Sequence, residues 1–379
     1  MKPHHLIYMV LMLMTTLPVV GQNPLEFRGQ LSAYGAYNPD SDLDVMLGGR
    51  YIPELTYRHS LHNNHSLDFM ASANIYGSVL TRPFYTNSTD GDVQPYRIWA
   101  RYTGNQYELR AGLQKINFGS ATVLRPLQWF DEIDPRDPLQ LTNGVYALLG
   151  RYYFMNNANI WLWLLYGNEK TRGFEAVPSN EHIPEFGGRF QYPVPAGELA
   201  LSYHHRTADS RDVIGLPAYE KIPENRIGLD GKWDVEVGLW FEAVYVSKTK
   251  DVGQLTHQHY LTLGTDYTFG VGNGLNVVAE HMLASLDEKA FAFDGAISNT
   301  SAATIMYPLT LNDNISSVFY YSWEEEVVSA FVSYEHQFRR LVGYIMAYYN
   351  AETTTQLQQN ELLYNLTGPG LRLMVVFNH

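Results

Sequence analysis

Between Arg97 and Arg151 the chain collects groups that bind ions. Arg97, Arg101, Arg110 and Arg151 supply guanidiniums, while Asp131, Glu132, Asp134 and Asp137 supply carboxylates, with Arg136 among them. Arg–carboxylate pairs are directional and often bidentate, so this set has two uses. The acids can dock on the arginines and pin one segment to another. Alternatively, the two signs can face each other across a gap, setting up a field that orients and filters solutes. Docking is the plainer outcome, and a pinned segment still narrows a gap. Trp129 and Phe130 lie in the same stretch. With Trp99 they offer flat faces to a sugar ring, although filling space between segments is the commoner use of such rings.

Other constellations are weaker. His257 and His259 share one strand face as a possible metal pair, but no third ligand is near in sequence, and a closed site needs three or four. His204 and His205 point to opposite faces, and His59, His62 and His65 cluster at a turn. There is no G-x-S-x-G, H-E-x-x-H or phosphate-loop motif. A Ser/His/Asp site assembled across strands is defined by geometry rather than order. The sequence therefore assigns no catalytic residue, metal or cofactor, and the expectation is a protein that is not an enzyme.

The arginines and acids need elements to place them. Residues 107–114 alternate: Tyr107, Leu109, Ala111 and Leu113 point one way, and Glu108, Arg110, Gly112 and Gln114 the other. This is the two-residue period of a strand. The alternation stops near Lys115, and a long connection follows that contains Pro126, Pro135 and Pro138. Loops of this length are uncommon in compact soluble domains but ordinary in a barrel whose loop folds into its own lumen.

The rest of the chain keeps one rhythm. Tight turns near 62–65, 103–105, 156–157, 195–197, 234–236, 270–274, 312–314 and 339–340 alternate with connections near 38–43, 83–94, 170–184, 207–223, 248–255, 287–299 and 353–367. The turn Glu324-Glu325-Glu326 belongs to the second set and is too charged to sit in lipid. Short periplasmic turns and long external loops mark outer-membrane barrels, whose strands need only ~9–11 residues to cross. The predicted fold is all-β: a transmembrane antiparallel barrel of about 18 strands with an inward-folded loop, a merged or missed hairpin giving 16 or 20. One strand, Ile160-Trp161-Leu162-Trp163-Leu164-Leu165, is apolar on both faces, so its inward side stays open; packing under the long loop would account for it.

Composition agrees. Tyrosine is frequent, at 28 against 17 Phe and 7 Trp, as expected of interfacial girdles. There is no cysteine, hence no disulfide framework. Beyond the N-terminus no apolar run reaches the ~18 residues a spanning helix needs. Lys2 followed by the apolar 6–17 and Val19-Val20-Gly21 reads as a secretory signal over 1–21, cleaved before Gln22, with the barrel over 22–379. A formal charge of −13 excludes nucleic acid as a plausible partner.

Arg110-x-Gly112-x-Gln114, then Gly119, Asp131 and Asp134-Pro135-x-Asp137-Pro138, resembles a pattern of the alginate-export-like and related substrate-specific porin families, which are large single-chain outer-membrane barrels. The resemblance covers this stretch alone. That pattern commonly carries Trp before the glycine, where this chain has Phe118, and the loop lacks a rich basic cluster. It therefore implies a porin more than an alginate exporter. Phe377, followed by Asn378 and His379, looks like the C-terminal aromatic signal read by barrel-assembly machinery. The expectation is an integral outer-membrane channel in contact with outer-membrane lipid, passing small or oligomeric hydrophilic solutes by passive diffusion. The alternative is a plugged barrel that binds surface polysaccharide or an envelope-assembly partner.

Overall fold

The computed structural model describes residues 24–41, 43–82, 86–351 and 367–379. The expected leader and nearly all of the connection at 353–367 lie outside them. Eighteen antiparallel strands follow one another: β1 (Leu25–Tyr37), β2 (Val45–Ser60), β3 (Ser66–Arg82), β4 (Thr86–Thr103), β5 (Tyr107–Gln114), β6 (Val145–Tyr153), β7 (Asn159–Leu165), β8 (Glu185–Val194) and β9 (Gly197–Ala208) form one half. The other half is β10 (Ile222–Val235), β11 (Val237–Lys248), β12 (His257–Phe269), β13 (Leu275–Asp287), β14 (Ala296–Pro308), β15 (Asp313–Ser322), β16 (Val327–Gln337), β17 (Leu341–Asn350) and β18 (Gly368–Asn378). Each strand pairs with the next, and Leu31 of β1 lies opposite both Tyr51 of β2 and Phe377 of β18. The sheet is thus closed and has no free edge, which removes the unpaired peptide groups an edge would expose.

Alternation decides which side chains meet lipid. Leu31, Leu109, Leu148, Leu201, Leu263 and Leu373 are exposed on the outside, while their strand neighbours turn inward. An apolar belt of this extent around a water-soluble protein would far exceed the patches monomers tolerate; around a bilayer barrel it is the required surface. On β7 the inward side is Trp161, Trp163 and Leu165, and the outward side Leu162 and Leu164. Both faces are apolar because the inner one packs on the long loop. Trp163 stacks on Phe118 at 5.5 Å and meets Phe130 edge-on at 5.3 Å.

One expected loop is strand. Residues 83–94 carry a turn-rich Thr-Asn-Ser-Thr-Asp-Gly tract, yet β4 begins at Thr86 and Gly77 and Ser78 of β3 pair with Gly91 and Asp90. Local turn propensity loses to the hydrogen-bond ladder extended from the wall below.

Gly112 marks the corner where β5 hands over to the loop. Its φ is +120°, and a methyl there would overlap the Ile98 carbonyl oxygen of β4. Only glycine fits both conditions. Gly112→Ala is expected to destabilise the refolded barrel by about 1–3 kcal/mol, read as a lower urea midpoint in detergent micelles. An unchanged midpoint would show that β4 and β5 have slack at this point.

Candidate functional site

The chain between β5 and β6, residues 115–144, crosses the lumen as a septum. Its apolar side chains Ile116, Leu127, Trp129 and Phe130 are almost fully buried. Phe118 meets Trp129 and Phe130 edge-on at 5.6 and 5.9 Å, and His204 of β9 meets Phe130 at 5.0 Å. The faces of Trp129 and Phe130 are therefore covered by protein.

Three wall acids on the far side hold this loop, two of them by its backbone and the third by a serine hydroxyl. Glu242 of β11 accepts the N–H groups of Ala121 and Leu127 at 2.8 and 3.0 Å. Glu280 of β13 accepts those of Thr122 and Val123 at 2.7 and 3.0 Å, that of Leu124, the Thr122 hydroxyl and the Trp240 indole N–H at 2.9 Å. Asp230 of β10 accepts the Ser120 hydroxyl at 3.0 Å while Arg189 grips it at 2.6 and 2.8 Å. Gly119 allows this approach. Its φ is +106°, and a methyl on it would overlap Glu242 Oε1.

The acids within the loop do not dock on the four wall arginines, contrary to the plainer expectation from sequence. Asp131 pairs with Arg125 at 3.0 Å and Asp134 with Arg136 at 2.7 Å, both inside the loop. Asp137 accepts the N–H groups of Leu139 and Leu141 at 3.0 and 3.1 Å, and burial pushes its carboxyl above the usual range despite them. Glu132 stays beside Asn143 and Thr142. Arg136 reaches the opposite wall, 5.7 Å over the Tyr320 ring. Of the wall arginines only Arg97 touches the loop, donating to the Thr142 carbonyl at 2.8 Å.

Arg101, Arg110 and Arg151 instead form a charged ladder on the wall itself, near the short turns. Cross-strand register places Arg58 opposite Asp68, Asp68 opposite Arg101, Arg101 opposite Arg110, and Glu108 opposite Arg151. Arg58 and Arg101 bind Asp68 at 2.8 and 2.9 Å. Arg110, Arg101 and Arg151 surround Glu108 at 3.2, 3.6 and 3.8 Å. Trp99 lies under Arg101 and Arg110 at 5.3 and 5.5 Å, and Trp161 under Arg151 at 3.8 Å. Like charges directly opposite on a sheet repel; Glu108 and the ring faces offset this for Arg101 and Arg110.

A second loop, residues 166–184, also enters the lumen. Glu175 meets Arg226 at 2.7 Å and Arg206 at 3.2 Å, Arg172 meets Glu185 at 2.9 Å, and Glu224 binds Arg206, Arg226 and Lys248 at 2.6, 2.7 and 3.1 Å. His204 completes the cluster on Glu185 at 3.0 Å. Burial alone would raise the Glu175 carboxyl, but Arg172, Arg206 and Arg226 outweigh it and hold it below the usual range. His257 and His259 face outward on β12, with His259 ringed by Tyr245, Phe291 and Phe293 at 4.8, 5.0 and 4.8 Å. Among the described residues no group of three or more His, Cys, Asp or Glu is placed to hold a metal.

Sequence reasoning overlooked Glu242, Arg125 and the clamp on the second loop. Alternation does put Glu242 inside, between outward Phe241 and Ala243. No sequence pattern reveals that its partners are peptide N–H groups more than a hundred residues away.

No protein-family model and no curated protein sequence matches the chain. Solved structures do. OccK5 (OpdH) of Pseudomonas aeruginosa aligns with a TM-score of 0.56 at 10% identity over 93% of this chain and 97% of that one. Wzi of Escherichia coli, an outer-membrane carbohydrate-binding β-barrel involved in group 1 capsule assembly, aligns at 0.53 and 11% identity over 93% and 84%. Salmonella typhi OmpF, solved with daunomycin, aligns at 0.50 and 10% identity over 94% and 97%. At these identities the likeness is one of fold, that of outer-membrane barrels.

Gly119→Ala, alone, is expected to push Glu242 off the loop and increase cleavage within 115–144 by added protease severalfold; unaltered cleavage would mean the latch tolerates the methyl. For the second loop the sign follows from Glu175. A carboxyl held low in the folded state stabilises above its ordinary value of 4.5 and loses that contribution as pH falls through its folded value. Cleavage within 166–184 is thus expected to match at pH 7 and pH 5 and to rise only in stronger acid.

Proposed function

We propose that the chain is a porin-like channel of the outer membrane for hydrophilic solutes, delivered there by a leader over 1–21, with its lumen closed down at rest by the 115–144 septum. The observation that carries this reading is the latch. The septum is fixed to the wall by hydrogen bonds to Glu242 and Glu280, with no ion pair to either among the described residues. Such bonds are exchangeable for water, each contributing ~1.5–3 kcal/mol net to a charged acceptor. Below the septum the Arg101, Arg110 and Arg151 ladder gives passing ions a charged wall to read.

A second reading is a plugged barrel that binds polysaccharide or an envelope partner. It is favoured by inward side chains buried on every strand, Tyr34, Ile52, Leu149, Met282, Phe331 and Met374 among them, and by the fold likeness to Wzi, itself a carbohydrate-binding barrel.

Single-channel recording separates the two. Glu242→Gln with Glu280→Gln places amide N–H₂ groups against peptide N–H groups and is expected to turn a quiet or small-conductance protein into one with large steps. If both proteins fold and both stay silent, the plugged reading stands. Arg101→Ala with Arg110→Ala is expected to leave the septum in place and move the reversal potential in a salt gradient toward cation preference. An unmoved potential would place the ladder off the ion path.

A further inference from the structure

The outer face of β12–β16 carries a groove of about 820 Å³. Its floor is made of small side chains: Ala279 lies opposite Ala303 in register, and Ser301 lies beside them with Tyr321 opposite it. Leu263 and Phe319 wall it. Large apolar residues at these floor positions would fill the dent.

One end of the groove is polar. Trp323 donates its indole N–H to Ser301 Oγ at 2.9 Å, and Ser301 Oγ lies 2.9 Å from His281 Nδ1. Ser301 Oγ already accepts from Trp323, so its own hydroxyl proton is available to hydrogen-bond to Nδ1; in that tautomer the imidazole proton sits on Nε2, and His281 is exposed on the lipid side. The nearby carboxylate, Glu324, is taken by the backbone and side-chain amides of Asn299 at 2.8 and 2.6 Å. Tyr321 and Trp323, edge-on at 4.9 Å, sit at the outer end of β15 as interfacial aromatics do.

An N–H donor facing hydrocarbon needs an acceptor. The acceptors just inside the aromatic girdle are the ester or amide carbonyls at the heads of acyl chains. We propose that this groove binds one acyl lipid of the outer leaflet, its chain on Ala279, Ala303 and Ser301 and its carbonyl accepting from His281 Nε2. A second barrel seated here would set its apolar belt against that donor and leave it unpaired. The site does not depend on whether the lumen conducts.

The test uses the full, delipidated chain in detergent micelles, titrated with diacyl phosphatidylglycerol or its diether analogue and read by native mass spectrometry. The wild type is expected to retain one diacyl lipid and to bind the diether, which lacks the carbonyls, about three- to tenfold more weakly. His281→Phe should erase that difference. Ala303→Phe fills the floor and should abolish retention of both lipids, with Ala279→Leu as a second filling variant and heat-modifiable migration as the check on folding. Equal binding of ester and ether lipid by the wild type, retention indifferent to both filling variants, or a dimer in place of the lipid complex would each overturn the proposal.

Discussion

Two carboxylates with no cationic partner among the described residues, Glu242 and Glu280, gather a run of peptide N–H groups from residues 121–127. Neither side of this interaction is stable alone. Irregular backbone inside a barrel carries donors that must be satisfied where water is scarce, and a buried carboxylate without donors is costly. Together they satisfy each other, and the geometry of the lumen follows. With 119–127 fixed against β10–β13, the chain returns across the barrel with Trp129 on His204 and Phe130 on Trp163 and His204. Arg136 is then carried to the wall at Tyr320 and Asn350.

The same locality governs the other charges. At an effective dielectric near 20, unit charges 3 Å apart attract by about 5 kcal/mol and at 10 Å by less than 2 kcal/mol. A loop acid with an arginine two to six residues away therefore has little reason to reach across to the wall. Asp134 has Arg136 and Asp131 has Arg125. The wall arginines likewise have Asp68 and Glu108 in register beside them. The ion pairs of loop and wall are thus separate, and what joins the two is hydrogen bonding, chiefly from the loop's backbone to wall carboxylates, and apolar contact.

This division explains what could be read from the chain. Strand number, phase and the inward or outward sense of Arg97, Arg101, Arg110 and Arg151 follow from alternation, because a one-residue slip would put charge in lipid. The glycines at 112 and 119 stood out in the motif, and the structure gives each a steric reason. Partner choice inside the lumen was not legible. Periodicity says that Glu242 is inside, and the inward loop carries Asp134; neither says that one meets peptide groups and the other Arg136. The tract at 86–94 misled for a related reason, since its turn residues are common in isolation but are held extended by β3.

The two inward loops are held by different chemistry, and that difference decides which can yield. Neutralising Glu224 would leave Arg206, Arg226 and Lys248 buried together without their shared anion. Breaking a buried ion network in this way is strongly unfavourable, even though the intact network adds little to stability over an apolar substitute. Neutralising Glu280 would leave peptide N–H groups, the Thr122 hydroxyl and the Trp240 indole N–H, neutral donors that water can take over once the septum parts enough to admit it. The 166–184 loop is thus bound into a network with several cations, whereas release of the 115–144 septum would strand no cation and would leave Glu242 and Glu280 to be solvated by the water that its parting admits. Any path through this barrel would open where the backbone latch lies, between the septum and β10–β13.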